Sequence, residues 1–112
     1  MAELRTLGPE SWREFVTAEG TAVLVIGKND CDACNTWGEE LARFLAEDQE
    51  FSGVRFGKID LKQRGLIDFK KENTWLAELD VLPYNVIYRD GQIVKQFAGG
   101  GAERLTNRLR NL

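Results

Sequence analysis

Cys31 and Cys34 are the only cysteines of this 112-residue chain, and two residues separate them. The chain has no histidine, so neither a Cys–His nucleophile pair nor a Cys/His metal cage can form. Sulfurs spaced about one helical turn apart can close a small disulfide ring. One thiolate of such a pair can attack a foreign disulfide, and the other can then release the product. The spacing therefore points to thiol–disulfide exchange.

The flanking segments place this pair between a strand and a helix. Residues 21–27 are apolar and rich in β-branched side chains, which predicts a buried strand. A short loop leads to the cysteines, and an amphipathic helix is expected from there to about Gln49. Cys31 then lies at the helix N-terminus, where unpaired N–H groups and the helix dipole favour a thiolate. We expect Cys31 to be the attacking sulfur and the more covered Cys34 to be the resolving one.

Two other roles for the cysteines are weaker. Zinc normally needs four ligands, and the sequence offers no further Cys and no His, so we expect neither a metal nor a cofactor. Inert packing is disfavoured because burying the flanking carboxylates of Asp30 and Asp32 would be costly. The same two charges oppose a thiolate on Cys31, which favours a reductant over a strong oxidant.

The composition excludes several classes of partner. The net charge is −3 with both signs scattered along the chain, so no basic nucleic-acid patch is present. The longest apolar run, residues 22–26, is too short to span a bilayer, and the first eight residues do not resemble a signal peptide. We therefore expect one domain over residues 1–112, a monomer in the cytoplasm, with no nucleic-acid or membrane partner.

Helical and strand-like segments alternate along the chain. The patterns predict helices over residues 9–20 and 61–80, the second broken near Asn73–Thr74, and a strand over residues 54–60. A hairpin over residues 85–89 and 92–98 turns at Asp90–Gly91. A last helix begins near Ala102, with Leu105, Leu109 and Leu112 facing inward. Residues 4–7 add an edge strand. This order predicts an α/β fold whose mixed sheet carries helices on both faces.

The order of helices and strands, together with the positions of one proline and one glycine, resembles the thioredoxin family. Residues 82–91, Leu-Pro-Tyr-Asn-Val-Ile-Tyr-Arg-Asp-Gly, match its proline-led strand and tight turn, and Gly99 matches the glycine before its last helix. The resemblance covers nearly the whole chain and implies a thioredoxin-like fold with a redox-active Cys31–Cys34 pair. It also implies a cis bond before Pro83, substrate binding at Leu82 and Pro83, disulfide-containing protein substrates and a thioredoxin-reductase-like flavoenzyme as the recharging partner.

Several positions depart from the family pattern. The family has Trp before the first cysteine and Gly-Pro between the pair, where this chain has Asp30, Asp32 and Ala33. Val25 replaces a buried Asp that is thought to relay a proton to the resolving cysteine. Lys58, on the next strand, could face the same region or point to solvent, and alternation alone leaves both open.

Two alternatives of a different class remain at the level of sequence. A glutaredoxin-like enzyme could bind the carboxylate of glutathione through the N–H groups of residues 99–101 before the last helix. A binding module could keep the fold without turnover. The longer connection over residues 61–82 carries Trp75, which could cover a substrate surface, although burial in the core is favoured for it and for Trp37.

Overall fold

A computed structural model describes residues 2–112 and shows a five-stranded sheet with strand order β1-β3-β2-β4-β5. The first three strands are parallel, whereas β4 runs antiparallel to both β2 and β5. The strands are β1 (Leu4–Leu7), β2 (Thr21–Gly27), β3 (Arg55–Asp60), β4 (Tyr84–Arg89) and β5 (Gln92–Ala98). The most apolar strand, β2, is therefore central, as its run of buried residues requires.

Helices cover both faces of the sheet. They are α1 (Trp12–Thr17), α2 (Asp32–Glu47), α3 (Ile67–Glu72) and α4 (Ala102–Arg110), with a 3₁₀ helix (Thr74–Glu78) after α3. On one face α1 and α3 meet through Trp12 and Phe69, whose ring centroids lie 5.0 Å apart. On the other face Leu41 of α2 and Leu105 of α4 are fully buried against the sheet. The predicted α/β class and the edge strand β1 are confirmed.

Three sequence predictions need correction. Residues 61–66 form a turn rather than helix, because Gly65 has φ +86°, which an α-helix does not contain. The predicted break near Asn73 is present, since Asn73 separates α3 from the 3₁₀ helix. The first helix begins only at Trp12 because Pro9 lies in the preceding turn. Leu112 is half exposed because α4 ends at Arg110.

The hairpin between β4 and β5 forms as predicted at Asp90–Gly91. Both residues have positive φ, 52° and 83°, as a type I′ turn requires. The Asp90 carboxylate accepts a hydrogen bond of 2.7 Å from the Gly20 N–H, which ties this turn to the start of β2. Within residues 2–112, no helix is long and apolar enough to cross a bilayer.

Candidate redox site

The cysteine pair lies where the central strand passes into α2. After Gly27 the chain turns, and the Cys31 N–H donates to the Lys28 carbonyl at 3.1 Å. Cys31 is the N-cap residue of α2, and the Cys34 N–H donates to the Cys31 sulfur at 3.2 Å. This helix start leaves few other places for the sulfur, because an N-cap side chain must turn back toward the first free amides. Those amides stabilise negative charge on Cys31.

Cys31 and Cys34 form a disulfide, and their Cα atoms lie 5.2 Å apart. Both residues are half-buried, so the pair is neither sealed in the core nor fully open to solvent. Gly27 makes room for it, because a Cβ at Gly27 would come within 3.0 Å of the Cβ and sulfur of Cys34. The arrangement can accept and donate two electrons by opening and closing one disulfide.

The loop before β4 comes close to Cys31. The Leu82–Pro83 peptide bond is cis, and the Leu82 carbonyl oxygen lies 4.0 Å from the Cys31 sulfur. Pro83 is buried, whereas Leu82 is half-buried and precedes Tyr84, the first residue of β4 paired with β2. The backbone of Leu82 thus stands beside the disulfide and outside the strand ladder, where an extended peptide could pair with it.

The negative charge of Asp30 beside Cys31 is compensated by a positive charge that the sequence did not indicate. Asp30, Asp32 and Ala33 are all exposed. The Lys62 ammonium donates to the Asp30 carboxylate at 2.9 Å, and this hydrogen bond and charge lower the pKa of Asp30. The same pair raises the pKa of Lys62. Lys62 could not be predicted from the sequence, because it stands in a turn that follows β3 and no pattern marks it.

A cleft of about 620 Å³ opens between α2 and strands β1, β2 and β3, and Cys34 contributes to its wall. Val25 and Lys58 lie side by side in the registered pair of β2 and β3, and both line this cleft. The sequence left open whether Lys58 faces the region of the cysteine pair or solvent. Its side chain does both, because it lines the cleft on the α2 side of the sheet and is exposed. Gly38 lines the opposite wall, where a Cβ would meet nothing within 4 Å.

Two of the four amides of residues 99–102 already have hydrogen-bond acceptors. The Gly99 N–H donates to the Pro83 carbonyl at 2.8 Å, and the Ala102 N–H donates to the Glu40 carboxylate at 2.8 Å. Glu40 on α2 therefore caps the start of α4 with a negative charge. A second carboxylate brought to this helix terminus would be repelled by the first.

The two tryptophans differ in their burial. Trp37 on α2 is 2% exposed, as the sequence favoured. Trp75 in the 3₁₀ helix is only partly buried; it packs against the core, with its ring centroid 5.9 Å from that of Tyr84. Trp75 thus anchors the extended segment after β3 at the end of the sheet where the Leu82 loop leads into β4.

The comparison with solved structures gives the fold a name. Spinach chloroplast thioredoxin f (short form) has TM-score 0.76 and 20% identity, with 97% of this chain and 92% of that chain covered. Mitochondrial thioredoxin 3 of Saccharomyces cerevisiae (oxidized form) has TM-score 0.73 and 21% identity, covering 97% and 95%. Thioredoxin f2 in complex with ferredoxin:thioredoxin reductase has TM-score 0.76 and 19% identity, covering 97% and 94%.

The chain therefore has the thioredoxin fold, as its sequence pattern indicated, with a C-x-x-C disulfide at the start of α2. No protein-family model matches the sequence. No curated protein sequence matches it either.

Proposed function

We propose that this chain is a thiol–disulfide oxidoreductase that reduces disulfides in protein substrates through Cys31 and Cys34. The observation that carries the proposal is the half-buried Cys31–Cys34 disulfide at the N-terminus of α2, 4.0 Å from the Leu82 carbonyl. A buried structural disulfide would not need a helix terminus to stabilise a thiolate, nor a neighbouring backbone segment outside the strand ladder.

The reaction follows from the position of the two sulfurs. In the reduced protein, the Cys31 thiolate attacks one sulfur of a substrate disulfide, and the other substrate sulfur leaves as a thiolate that takes a proton. The Cys34 thiol then loses its proton and attacks the Cys31 sulfur. The Cys31–Cys34 bond forms, the mixed disulfide breaks, and the second substrate thiol is released. The substrate gains two electrons and two protons, and the protein becomes oxidised.

The experiment that tests this proposal removes the resolving sulfur. The Cys34→Ser variant, once reduced, should form a stable mixed disulfide with insulin through Cys31, because nothing remains to release it. Mass spectrometry of the adduct identifies the sulfur involved. The matched control is Cys31→Ser, which should accumulate far less adduct. A folded Cys34→Ser variant that captures no substrate would contradict the proposal and leave a binding module of this fold as the better description.

A reductase is the partner that this cycle requires, since each turnover leaves the protein oxidised. One protein of the same fold has been solved in complex with ferredoxin:thioredoxin reductase, which supports a reductase partner for this chain. We propose a thioredoxin-reductase-like flavoenzyme and a cytoplasmic setting. NADPH oxidation in a mixture of flavoenzyme, this protein and insulin would measure the partnership.

The Glu40 carboxylate at the start of α4 argues against the glutaredoxin-like alternative. Glu40 already caps Ala102, so a glutathione carboxylate would find the amide taken and a negative charge beside it. Reduction of a glutathione mixed disulfide should therefore be slow compared with reduction of insulin. The two rates, measured with the same amount of reduced protein, separate the two substrate classes.

A further inference from the structure

Asn85 is a fully buried polar side chain near the start of a mostly apolar strand. It lies on β4, two residues after Pro83, with 0% of its surface exposed. Its amide oxygen accepts a hydrogen bond of 2.8 Å from the indole N–H of Trp37. Its amide nitrogen donates to the Gly99 carbonyl at 2.6 Å and to the Phe97 carbonyl at 3.2 Å. All of its donors and its acceptor are used, so the burial is compensated.

The partners of Asn85 belong to the segments that surround the cysteine pair. Trp37 lies on α2, one turn beyond Cys34. Gly99 returns a hydrogen bond to this strand, since its N–H donates to the Pro83 carbonyl at 2.8 Å. Trp37 also packs closely on Gly100, where a Cβ would come within 2.9 Å of the indole. One amide thus joins the cysteine helix, the strand that follows the Leu82 loop and the glycine turn before α4.

Apolar packing alone would fix the orientation of α2 on the sheet less strictly. Core side chains of suitable size tolerate small rotations and shifts, whereas a hydrogen bond to an indole fixes distance and direction. The Trp37–Asn85 bond therefore sets how α2 is turned relative to β4. Since Cys31 is the N-cap of α2 and Leu82 leads into β4, the same bond sets the position of the Cys31 sulfur relative to the Leu82 backbone.

We infer that Asn85 is a positioning residue, which acts through Trp37 to align the Cys31 sulfur with a substrate disulfide docked on the Leu82 backbone. The inference rests on the proposed function for its consequence in catalysis. Attack at a disulfide needs the three sulfurs in line, so a small error of position slows the reaction of a docked protein. A small reagent that meets Cys31 from solvent needs no such alignment.

The test compares these two kinds of reaction in a Cys34→Ser background. Trp37→Phe removes the indole N–H together with part of the ring, and Asn85→Leu removes the whole amide. In each variant the rate of mixed-disulfide formation with insulin should fall about fivefold, the effect of one lost hydrogen bond of ordinary strength. Alkylation of Cys31 by iodoacetamide should keep the rate of the Cys34→Ser parent. Because the two residues act as a pair, adding Trp37→Phe to Asn85→Leu should lower the insulin rate no further.

Val16→Ala is the control for loss of stability alone. Val16 is buried on α1, on the opposite face of the sheet from Trp37, so its truncation weakens the fold without touching the Asn85 contacts. The ratio of the insulin rate to the iodoacetamide rate should stay at the value of the Cys34→Ser parent when Val16→Ala is added to it. If Trp37→Phe and Asn85→Leu also keep that ratio while folded, Asn85 has a structural role only and the inference is wrong.

A second measurement does not depend on enzymatic activity. Hydrogen exchange of the Gly99 amide, whose N–H is bonded to Pro83, should be faster in Asn85→Leu by a larger factor than the lost global stability explains. Val16→Ala supplies the size of that global effect. If the wild-type protein failed to react with insulin, the proposed function would fall. Unchanged Gly99 exchange would separately overturn the positioning of this turn by Asn85.

Discussion

The Asp30 carboxylate stands one residue before Cys31, and its charge would oppose a thiolate there if it were alone. The Lys62 ammonium, 2.9 Å away, compensates it and lowers the pKa of Asp30. The pKa of Asp30 is lower in the folded chain than in the unfolded chain. The pair therefore stabilises the fold at pH values above 3.8, the ordinary pKa of an Asp side chain. That stabilisation is lost as the pH falls below this value and through the folded pKa. At neutral pH the pair is intact, and Cys31 meets little net charge from that side.

Lys62→Met should therefore slow the alkylation of Cys31 at pH 7. In a Cys34→Ser background, we expect about a twofold decrease in the iodoacetamide rate, because the Lys62–Asp30 pair is exposed and screened by solvent. The difference should shrink at high salt. Lys70→Met is the matched control, since Lys70 binds the Leu61 carbonyl instead of a carboxylate. An alkylation rate that is unchanged or faster in Lys62→Met would show that Asp30 does not influence the sulfur.

At the scale of single residues, the sequence predicts chemistry only where the residue types and their spacing are enough to identify a motif. Cys31, Cys34 and Pro83 belong to short motifs, so their proximity in the fold could be predicted. Lys62 and Asn85 could not, because their partners lie 32 and 48 residues away and only the folded sheet brings them together. The one available signal for Asn85 is a polar residue inside an apolar strand, which indicates a buried hydrogen bond but does not name its partner.

Among the elements, α1 depends most on a residue outside itself. Six residues are too few for a stable isolated helix. The Arg55 guanidinium, from β3, donates to the carbonyls of Phe15, Ala18 and Glu19 at the end of α1. Arg55 therefore satisfies carbonyls that the helix cannot pair internally and places positive charge at the negative end of its dipole.

Arg55→Met should lower the free energy of unfolding by about 1–3 kcal/mol, because it keeps the aliphatic part of the side chain but leaves these carbonyls unpaired. Urea denaturation followed by tryptophan fluorescence measures the change, since Trp12 lies on α1. Arg43→Met, at an exposed position of α2, should leave the unfolding free energy nearly unchanged. Equal stability of the two variants would mean that α1 is held by apolar packing alone.

The strands were predicted more closely than the helices, for a physical reason. A buried strand shows a short apolar run and a hairpin shows its turn residues, so β2 and the β4–β5 hairpin have the expected positions. The segment after β3 has a helix-like pattern throughout. Its break at Asn73 was predicted from residues that can cap a helix, but the turn at Gly65, with its positive φ, was not. Backbone conformation at single residues decided these boundaries, and hydrophobic periodicity does not report it.

For the molecule as a whole, the two faces of the sheet bury separate apolar layers. Within residues 2–112, the large apolar residues that remain exposed are spread over several parts of the chain. These are Ile67, Val81, Ile93, Val94 and Leu112. Ile93 and Val94 are neighbours on β5, an edge strand of the sheet. Such scattered residues are normal on the surface of a monomeric protein.

We expect the protein to remain a monomer, with sedimentation equilibrium giving the mass of one chain at all accessible concentrations. Self-association would instead point to the open edge of β5, where two copies could extend one sheet. Ile93→Lys would then restore the single-chain mass, whereas Ile67→Lys on α3 would not. A dimer that survives Ile93→Lys would place the contact elsewhere.

The cleft between α2 and strands β1, β2 and β3 makes the two sulfurs approachable from different directions. Leu82 stands on the β4 side of the central strand, whereas the cleft reaches Cys34 from the β3 side, past Val25 and Gly38. An electrophile carried on a fragment that fits this cleft would label Cys34 of the reduced protein first. Reagents arriving along Leu82 would label Cys31 first. Selective tagging of one partner in a vicinal dithiol would then follow from the direction of approach, with no difference in reactivity needed.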